Sequence, residues 1–196
     1  MLMKVSLIIP CYNESKNLPI LIKRCEKLIE KDFIEIILVD NGSSDNSSEI
    51  IQKSPLIKLV TIRKNIGYGS GILEGLKNAT GEILAWTHAD LQTDPNDILK
   101  GLSFFDSEEN PEKIFVKGNR KDRPFMDNFF TRGMSFFETI LLNKIMWDIN
   151  AQPTLFHRSF FEEWSDPPID FSLDLYAYFM AIHSKMIIKR FPVQFT

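Results

Sequence analysis

Ile83-Leu84-Ala85-Trp86-Thr87-His88-Ala89-Asp90-Leu91-Gln92 runs a short apolar segment straight into three polar side chains at alternate positions. A run apolar along its whole length reads as a strand buried on both faces, the kind found in sheets covered by helices on both sides. If the chain stays extended past Thr87, alternation puts His88, Asp90 and Gln92 on one side of the backbone at the sheet edge. Three such side chains suit a divalent metal.

Working outward, the same pattern repeats. Apolar runs at 5–9, 34–39, 57–62 and 83–87 alternate with helical patterns at 17–29, 45–52 and 69–78. That order predicts a mainly parallel α/β sheet, and such sheets bind ligands at the carboxyl ends of their strands. The strand ends carry Pro10-Cys11-Tyr12-Asn13-Glu14, Asp40-Asn41-Gly42-Ser43-Ser44-Asp45, Arg63-Lys64-Asn65-Ile66-Gly67 and His88-Ala89-Asp90. Polar and glycine-rich chemistry therefore gathers on one edge. Ser44 or Asp45 suits a helix cap, Asp94 before Pro95 suits the start of another helix, and Gly67, Gly69 and Gly71 permit close backbone approach.

The second half is less regular. A strand is expected at 113–117 and a helix at 125–142 with aromatic residues at 125, 129, 130, 136 and 137. A short strand at 151–156, a helix at 171–183 and a pair of strand-like runs at 186–195 around Pro192 follow.

With 196 residues and 44% hydrophobic content the chain reads as one domain around one core. Its 23 basic and 26 acidic residues leave a net charge of −3, which argues against a nucleic-acid partner held through phosphates. Cys11 and Cys25 have neither zinc-site spacing nor the number for a disulfide framework, so reduced thiols in a cytoplasmic protein are expected. The apolar run after Met1 is too short for a signal peptide, and no segment is long enough to span a bilayer.

Four segments together carry a family resemblance: Ile8-Ile9-Pro10-Cys11-Tyr12-Asn13-Glu14, Ile37-Leu38-Val39-Asp40-Asn41-Gly42-Ser43-Ser44-Asp45, Asn65-Ile66-Gly67-Tyr68-Gly69 through Gly81, and Ala89-Asp90-Leu91-Gln92-Thr93-Asp94-Pro95. In order and spacing they resemble family 2 glycosyltransferases of the GT-A fold, the group that includes dolichyl-phosphate mannose synthase and bacterial polyprenyl-phosphate glycosyltransferases. The resemblance implies an α/β, Rossmann-like, mainly parallel sheet with helices on both faces. It also implies a nucleotide-sugar donor half at 1–124 and an acceptor half at 125–196. The implied activity is metal-dependent, inverting transfer of a sugar from a nucleoside-diphosphate donor to a lipid-phosphate or glycan acceptor, with Mg²⁺ or Mn²⁺ as cofactor.

Carried onto this chain, the resemblance places donor contacts at Pro10, Tyr12, Glu14, Asp40, Asn65, Gly67, Ala89 and Asp90. The family has two adjacent aspartates where this chain has Asp40-Asn41, so Asp40 stands ahead of Asn41. The metal falls to Asp90, then Gln92, then His88, which replaces the expected first carboxylate. His88 either ligates a transition metal, bonds a donor phosphate or only contacts Asp90; imidazole favours Mn²⁺ over the harder Mg²⁺.

Asp174 falls where the family carries an acid and is the candidate base, beside Asp90 as the other catalytic residue; a solvated helix carboxylate is the plain alternative. Asp170 is a less favoured substitute. Arg120, Arg123 and Arg132 are placed to hold a donor diphosphate or an acceptor phosphate, against simple ion pairing with Asp122 and Asp127. The aromatic helix is either core packing or a peripheral contact with the inner face of a membrane.

Two other classes stay open beside this one. A weakened nucleotide-sugar-binding module or regulatory partner is motivated by His88 and Asn41. A nucleotidyltransferase or dehydrogenase ranks last, because the first strand-to-helix loop lacks a glycine-rich dinucleotide fingerprint.

Overall fold

The first half alternates β1 (Val5–Cys11), α1 (Leu18–Ile29), β2 (Ile34–Asn41), α2 (Ser47–Gln52), β3 (Lys58–Ile62), α3 (Tyr68–Asn78) and β4 (Ile83–Trp86). The structure is a computed structural model, and it describes residues 3–121 and 148–195. Asp94 accepts a bond from Asn96 N at 2.9 Å and opens a short 3₁₀ turn that leads into α4 (Ile98–Asp106). There follow β5 (Ile114–Lys121), β6 (Thr154–His157), α5 (Arg158–Glu162), α6 (Leu173–His183) and β7 (Ile187–Gln194). The expected helix at 125–142 lies outside the described residues, as do Arg123 and Arg132.

Among the described residues the strands form one sheet of seven, ordered β3-β2-β1-β4-β6-β5-β7. β1 pairs in parallel with β2 and β4, β2 with β3, and β5 with β7. Only β6 runs the other way, antiparallel to both β4 and β5. The mainly parallel sheet agrees with the sequence reading; β6, visible there as a strand, gave no sign of its direction.

Alternation along the strands sorts the core into two layers. Leu7 and Ile9 of β1 with Ile36 and Leu38 of β2 pack against Leu21, Cys25 and Leu28 of α1 and Ile98 and Phe105 of α4. Ile8, Ile37 and Val39 face the other way, onto Ile72, Leu73 and Leu76 of α3, in a layer that also takes Leu173 and Ala177 of α6. Helices therefore cover both faces, which is what strands apolar on both sides require. Where two runs were expected at 186–195, a single strand covers Ile187–Gln194. Pro192 sits in it opposite Asn119, tolerated because β7 is an edge strand whose outer side needs no N–H donor.

Cys11 and Cys25 are free and buried, and burial raises both thiols, Cys25 to about 12. The folded chain is therefore expected to react only slowly with a thiol reagent at neutral pH and to yield both thiols once denatured. Rapid labelling before denaturation would show that this layer opens readily.

Candidate functional site

At the carboxyl ends of β1, β2 and β4 lies a cleft of about 600 Å³. Its walls come from both halves of the chain. Pro10, Tyr12, Glu14, Asn65, Gly67, His88, Ala89, Asp90, Gln92, Arg120 and Asp174, all singled out from sequence, line it, together with Asn41, Tyr68, Asn150, Gln152, Asp170, Phe171 and Phe195.

The loops after β1 and β2 are tied into one wall. Asn13 N donates to Ser43 Oγ at 3.0 Å and Ser44 N to Asn13 Oδ1 at 2.8 Å. Glu14 N donates to Ser47 Oγ at 2.9 Å, while Asp45 accepts from Ser15 N at 3.1 Å and Ser47 N at 3.0 Å. Asp45 thus bridges two loops besides serving the start of α2. The bonds from Ser47, then those from Ser15, bring its carboxyl down to about 2. A carboxylate lowered in the folded state stabilises above its unfolded value and loses that contribution as pH falls through the folded one. Asp45→Ala is accordingly expected to lower urea-melt stability by a constant amount above about pH 4, with the gap closing towards pH 2. A gap unchanged at pH 2 would contradict the clamp.

Asp40 and Asn41 exchange places relative to expectation. Asp40 shares its face with Leu38, is 3% exposed and accepts Ser43 N at 3.0 Å. It is not among the lining residues, whereas Asn41, on the face of Val39, is. Asn41 Nδ2 donates to Gly67 O at 2.9 Å. Gly67 itself has φ of 136°, and a Cβ there would strike the carbonyl oxygen of Ile169. That oxygen accepts Ser70 N at 2.8 Å, so the 168–170 loop sits directly on the start of α3. Glycine is required on both counts.

The 88–92 segment does not continue β4. The chain bends after Thr87, Leu91 takes φ of 65°, and Gln92 N folds back to Asp90 Oδ1 at 3.0 Å. A buried Thr87–Thr93 hydroxyl bond at 3.1 Å closes the loop. His88, Asp90 and Gln92 still reach one cleft, but through this turn and not through strand alternation. His88 is half buried, its ring stacked on Tyr68 at 5.4 Å, and Tyr68 stacks on Phe171 at 4.8 Å. Burial lowers the imidazole pKa against the opposing pull of Asp174 and Asp90, so the neutral ring is favoured. Among the described residues no cluster of three or more His, Cys, Asp or Glu side chains converges as a metal cage.

The floor of the cleft holds a buried charged group that sequence reasoning missed. Trp86, Thr154 and Lys117 stand side by side across β4, β6 and β5. Asp174, in the first turn of α6, drops onto this row. It is 2% exposed, not solvated, and its Oδ1 accepts Gln152 Nε2 at 2.7 Å, Trp86 Nε1 at 3.3 Å and Lys117 Nζ at 3.5 Å. Lys117 also donates to Thr154 Oγ1 at 2.8 Å, and burial brings its amine down to about 8 despite the opposing Asp174 charge. The signal in the sequence was Lys117 directly after the apolar run Ile114-Phe115-Val116. Burial, then Asp174, also raises the Tyr68 hydroxyl well above its ordinary value.

Arg120 reaches the cleft braced by Asp148, which takes its backbone N–H at 2.9 Å and its Nε at 2.8 Å, with the guanidinium 5.4 Å from the Phe195 ring centre. Asp122 and Asp127, weighed from sequence as ion partners, lie outside the described residues. Asp170 is engaged locally with Ser172 N at 2.9 Å.

A family model described as glycosyl transferase family 2 matches residues 6–165. An undecaprenyl-phosphate 4-deoxy-4-formamido-L-arabinose transferase of Yersinia enterocolitica is 38% identical over 131 residues, 62% of this chain and 39% of that protein. Its counterpart in Proteus mirabilis is 38% identical over 150 residues, 72% of this chain and 44% of that protein. The chain thus spans less than half the length of these relatives. Crystal structures of glucosyl-3-phosphoglycerate synthase from Mycobacterium tuberculosis superpose on it at 14% identity. The complex with Mn²⁺, UDP and glucosyl-3-phosphoglycerate gives a TM-score of 0.80 over 98% of this chain and 71% of that one, and the UDP complex gives 0.81 over 99% and 71%. At that identity the likeness carries the fold alone, and it is the GT-A fold.

Proposed function

The chain belongs to glycosyl transferase family 2, and from that premise we propose that it is the catalytic domain of a metal-dependent, inverting glycosyltransferase taking a nucleoside-diphosphate sugar. The observation that supports this most is the convergence, in one cleft at the strand ends, of the first three strand-end loops with the 88–92 turn, Arg120 and Asp174.

The donor would lie along the sheet in strand order. Tyr12, 48% exposed, offers a ring beside the base. Glu14 and Asn41 offer acceptors to base N–H or ribose hydroxyl groups. Asp90, Gln92 and the neutral His88 are the residues that would hold Mn²⁺ or Mg²⁺ against the diphosphate. The Asp90 carboxylate and the Gln92 amide oxygen would suit a hard ion such as Mg²⁺, and the His88 imidazole beside them would favour Mn²⁺. When bound, the ion neutralises charge building on the departing diphosphate.

Arg120, braced by Asp148, presents a fixed cation to a phosphate. Inversion needs an acceptor oxygen aligned opposite the leaving group. Asp174 serves a hydroxyl acceptor as base, its described bonds all falling on Oδ1; a lipid phosphate is already anionic and needs none. The exposed apolar side chains of Ile66, Ile169 and Phe171, on segments that meet at the start of α3, support a lipid-phosphate acceptor and a peripheral membrane site.

The test is incubation with UDP- and GDP-sugars, Mn²⁺ or Mg²⁺, and undecaprenyl phosphate in detergent, reading nucleoside diphosphate release. Metal-dependent release stimulated by the lipid phosphate is expected. Binding without release would favour the weakened binding module, a reading supported by His88 and Asn41 standing where carboxylates are expected. Neither binding nor release with any donor would sink the proposal.

A further inference from the structure

Two side chains that line the cleft each bury an acceptor that finds no partner. Among the described residues, Asn41 Oδ1 and Gln152 Oε1 have no hydrogen bond. Buried acceptors in folded proteins are nearly always paired, because an unpaired one loses water and gains nothing. A ligand group that donates is the straightforward complement to such an atom in a cleft wall.

Gln152 is 1% exposed, and its amide has only one workable orientation. Its Nε2 donates to Asp174 Oδ1 at 2.7 Å; turned over, the amide would set its oxygen against that carboxylate. Asp174 is in turn fixed by Trp86 and by the wholly buried Lys117 at 3.5 Å, which supplies the opposite charge. Lys117, Asp174 and Gln152 therefore form a chain whose last member aims one neutral acceptor away from Asp174.

Its place along the sheet identifies the donor. The residues suited to a nucleobase lie on β1 and β2, the metal corner follows β4, and Gln152 comes just before β6, the next strand across. Thr154, two residues on, pairs with Trp86, two residues before His88. A nucleotide sugar laid in that order puts its base at β2, its diphosphate at β4 and its sugar at β6. An amide oxygen repels phosphate and accepts from O–H.

We infer that Gln152 is a specificity-determining residue that accepts a hydrogen bond from a hydroxyl of the donor sugar. This rests on the nucleotide-sugar reading above. Lys117 and Asp174 act on that contact as positioning residues. A pocket built to bond a hydroxyl discriminates against the analogue that lacks it, so the preference falls on one ring position.

Calorimetry with UDP, GDP, UDP-glucose and GDP-mannose in the presence of Mn²⁺, on the unaltered chain and on Gln152→Met, tests it. Methionine keeps the length and removes both polar ends. The better-bound nucleoside diphosphate is expected to bind both proteins within about twofold, while its sugar conjugate binds Gln152→Met about tenfold more weakly. One monodeoxy analogue of that sugar is expected to lose about the same factor on the unaltered chain and nothing further on Gln152→Met. Equal losses for diphosphate and sugar conjugate, or no loss for either, overturn the inference and leave nucleotide binding standing. If Gln152→Met does not fold, the deoxy series on the unaltered chain decides, and an even response to every analogue overturns it. If none of the four ligands binds the unaltered chain, the proposed function fails and this inference falls with it.

Discussion

Asp174→Ala is expected to destabilise the fold by about 3–5 kcal/mol, because it leaves a buried ammonium without its counter-charge. Lys117 is 0% and Asp174 2% exposed as side chains, so the lost partner is one on which a fully buried ammonium depends. Gln152 and Trp86 lose an acceptor in the same step. The double replacement Lys117→Met with Asp174→Leu is expected to recover most of that loss, since apolar pairs of similar volume commonly match or exceed buried ion pairs. The pH dependence carries a separate sign. Lys117 titrates at about 8 in the folded chain against about 10.4 when unfolded, so between those values the unfolded chain holds the extra proton. Stability from this group should therefore rise with pH across that window, and Lys117→Met should abolish the rise. Urea melts from pH 7 to 10 measure both; an Asp174→Ala chain as stable as the parent would show that the pair is not buried as described.

Asp90→Ala is expected to behave in the opposite way. Asp90 is exposed and its one described hydrogen bond is local, to Gln92 N at 3.0 Å, so stability should change by less than about 1 kcal/mol. Transfer should nevertheless fall by at least about 10²-fold, the scale of losing charge stabilisation at a leaving group. His88→Asn tests one reading of that residue: a shift in preference from Mn²⁺ towards Mg²⁺ marks a ligand, whereas an unchanged preference leaves a ring stacked on Tyr68 that contacts a donor phosphate or Asp90. Initial rates with each metal provide the readout.

Much of the parallel half was legible because β1, β2 and β4 are apolar on both faces, which leaves a covered sheet as the consistent solution. That same property hid which residue at the end of β2 lines the cleft. With both faces apolar, nothing in 34–41 says which face looks towards α3, and the choice between Asp40 and Asn41 turns on that. His88, Asp90 and Gln92 were legible as a set but not in their geometry. A positive φ at Leu91 and the Thr87–Thr93 bond arise in a turn that strand periodicity does not encode. Asp174 was legible as a candidate base, but a solvated helix acid stayed open beside it because its partners, Trp86 of β4, Lys117 of β5 and Gln152, are far away in sequence. Lys117 was the available clue, and antiparallel β6 is what brings Thr154 and Gln152 up to it.

The central claim is that this cleft binds a nucleoside diphosphate through a metal held at Asp90. Calorimetric titration of UDP and GDP into the purified chain, with Mn²⁺ and then with EDTA, tests it without needing an acceptor. The expected result is binding of one nucleotide that Mn²⁺ strengthens by about tenfold or more, with the strengthening absent in Asp90→Ala. Binding of neither nucleotide, or an equal effect of Mn²⁺ in Asp90→Ala, would contradict it.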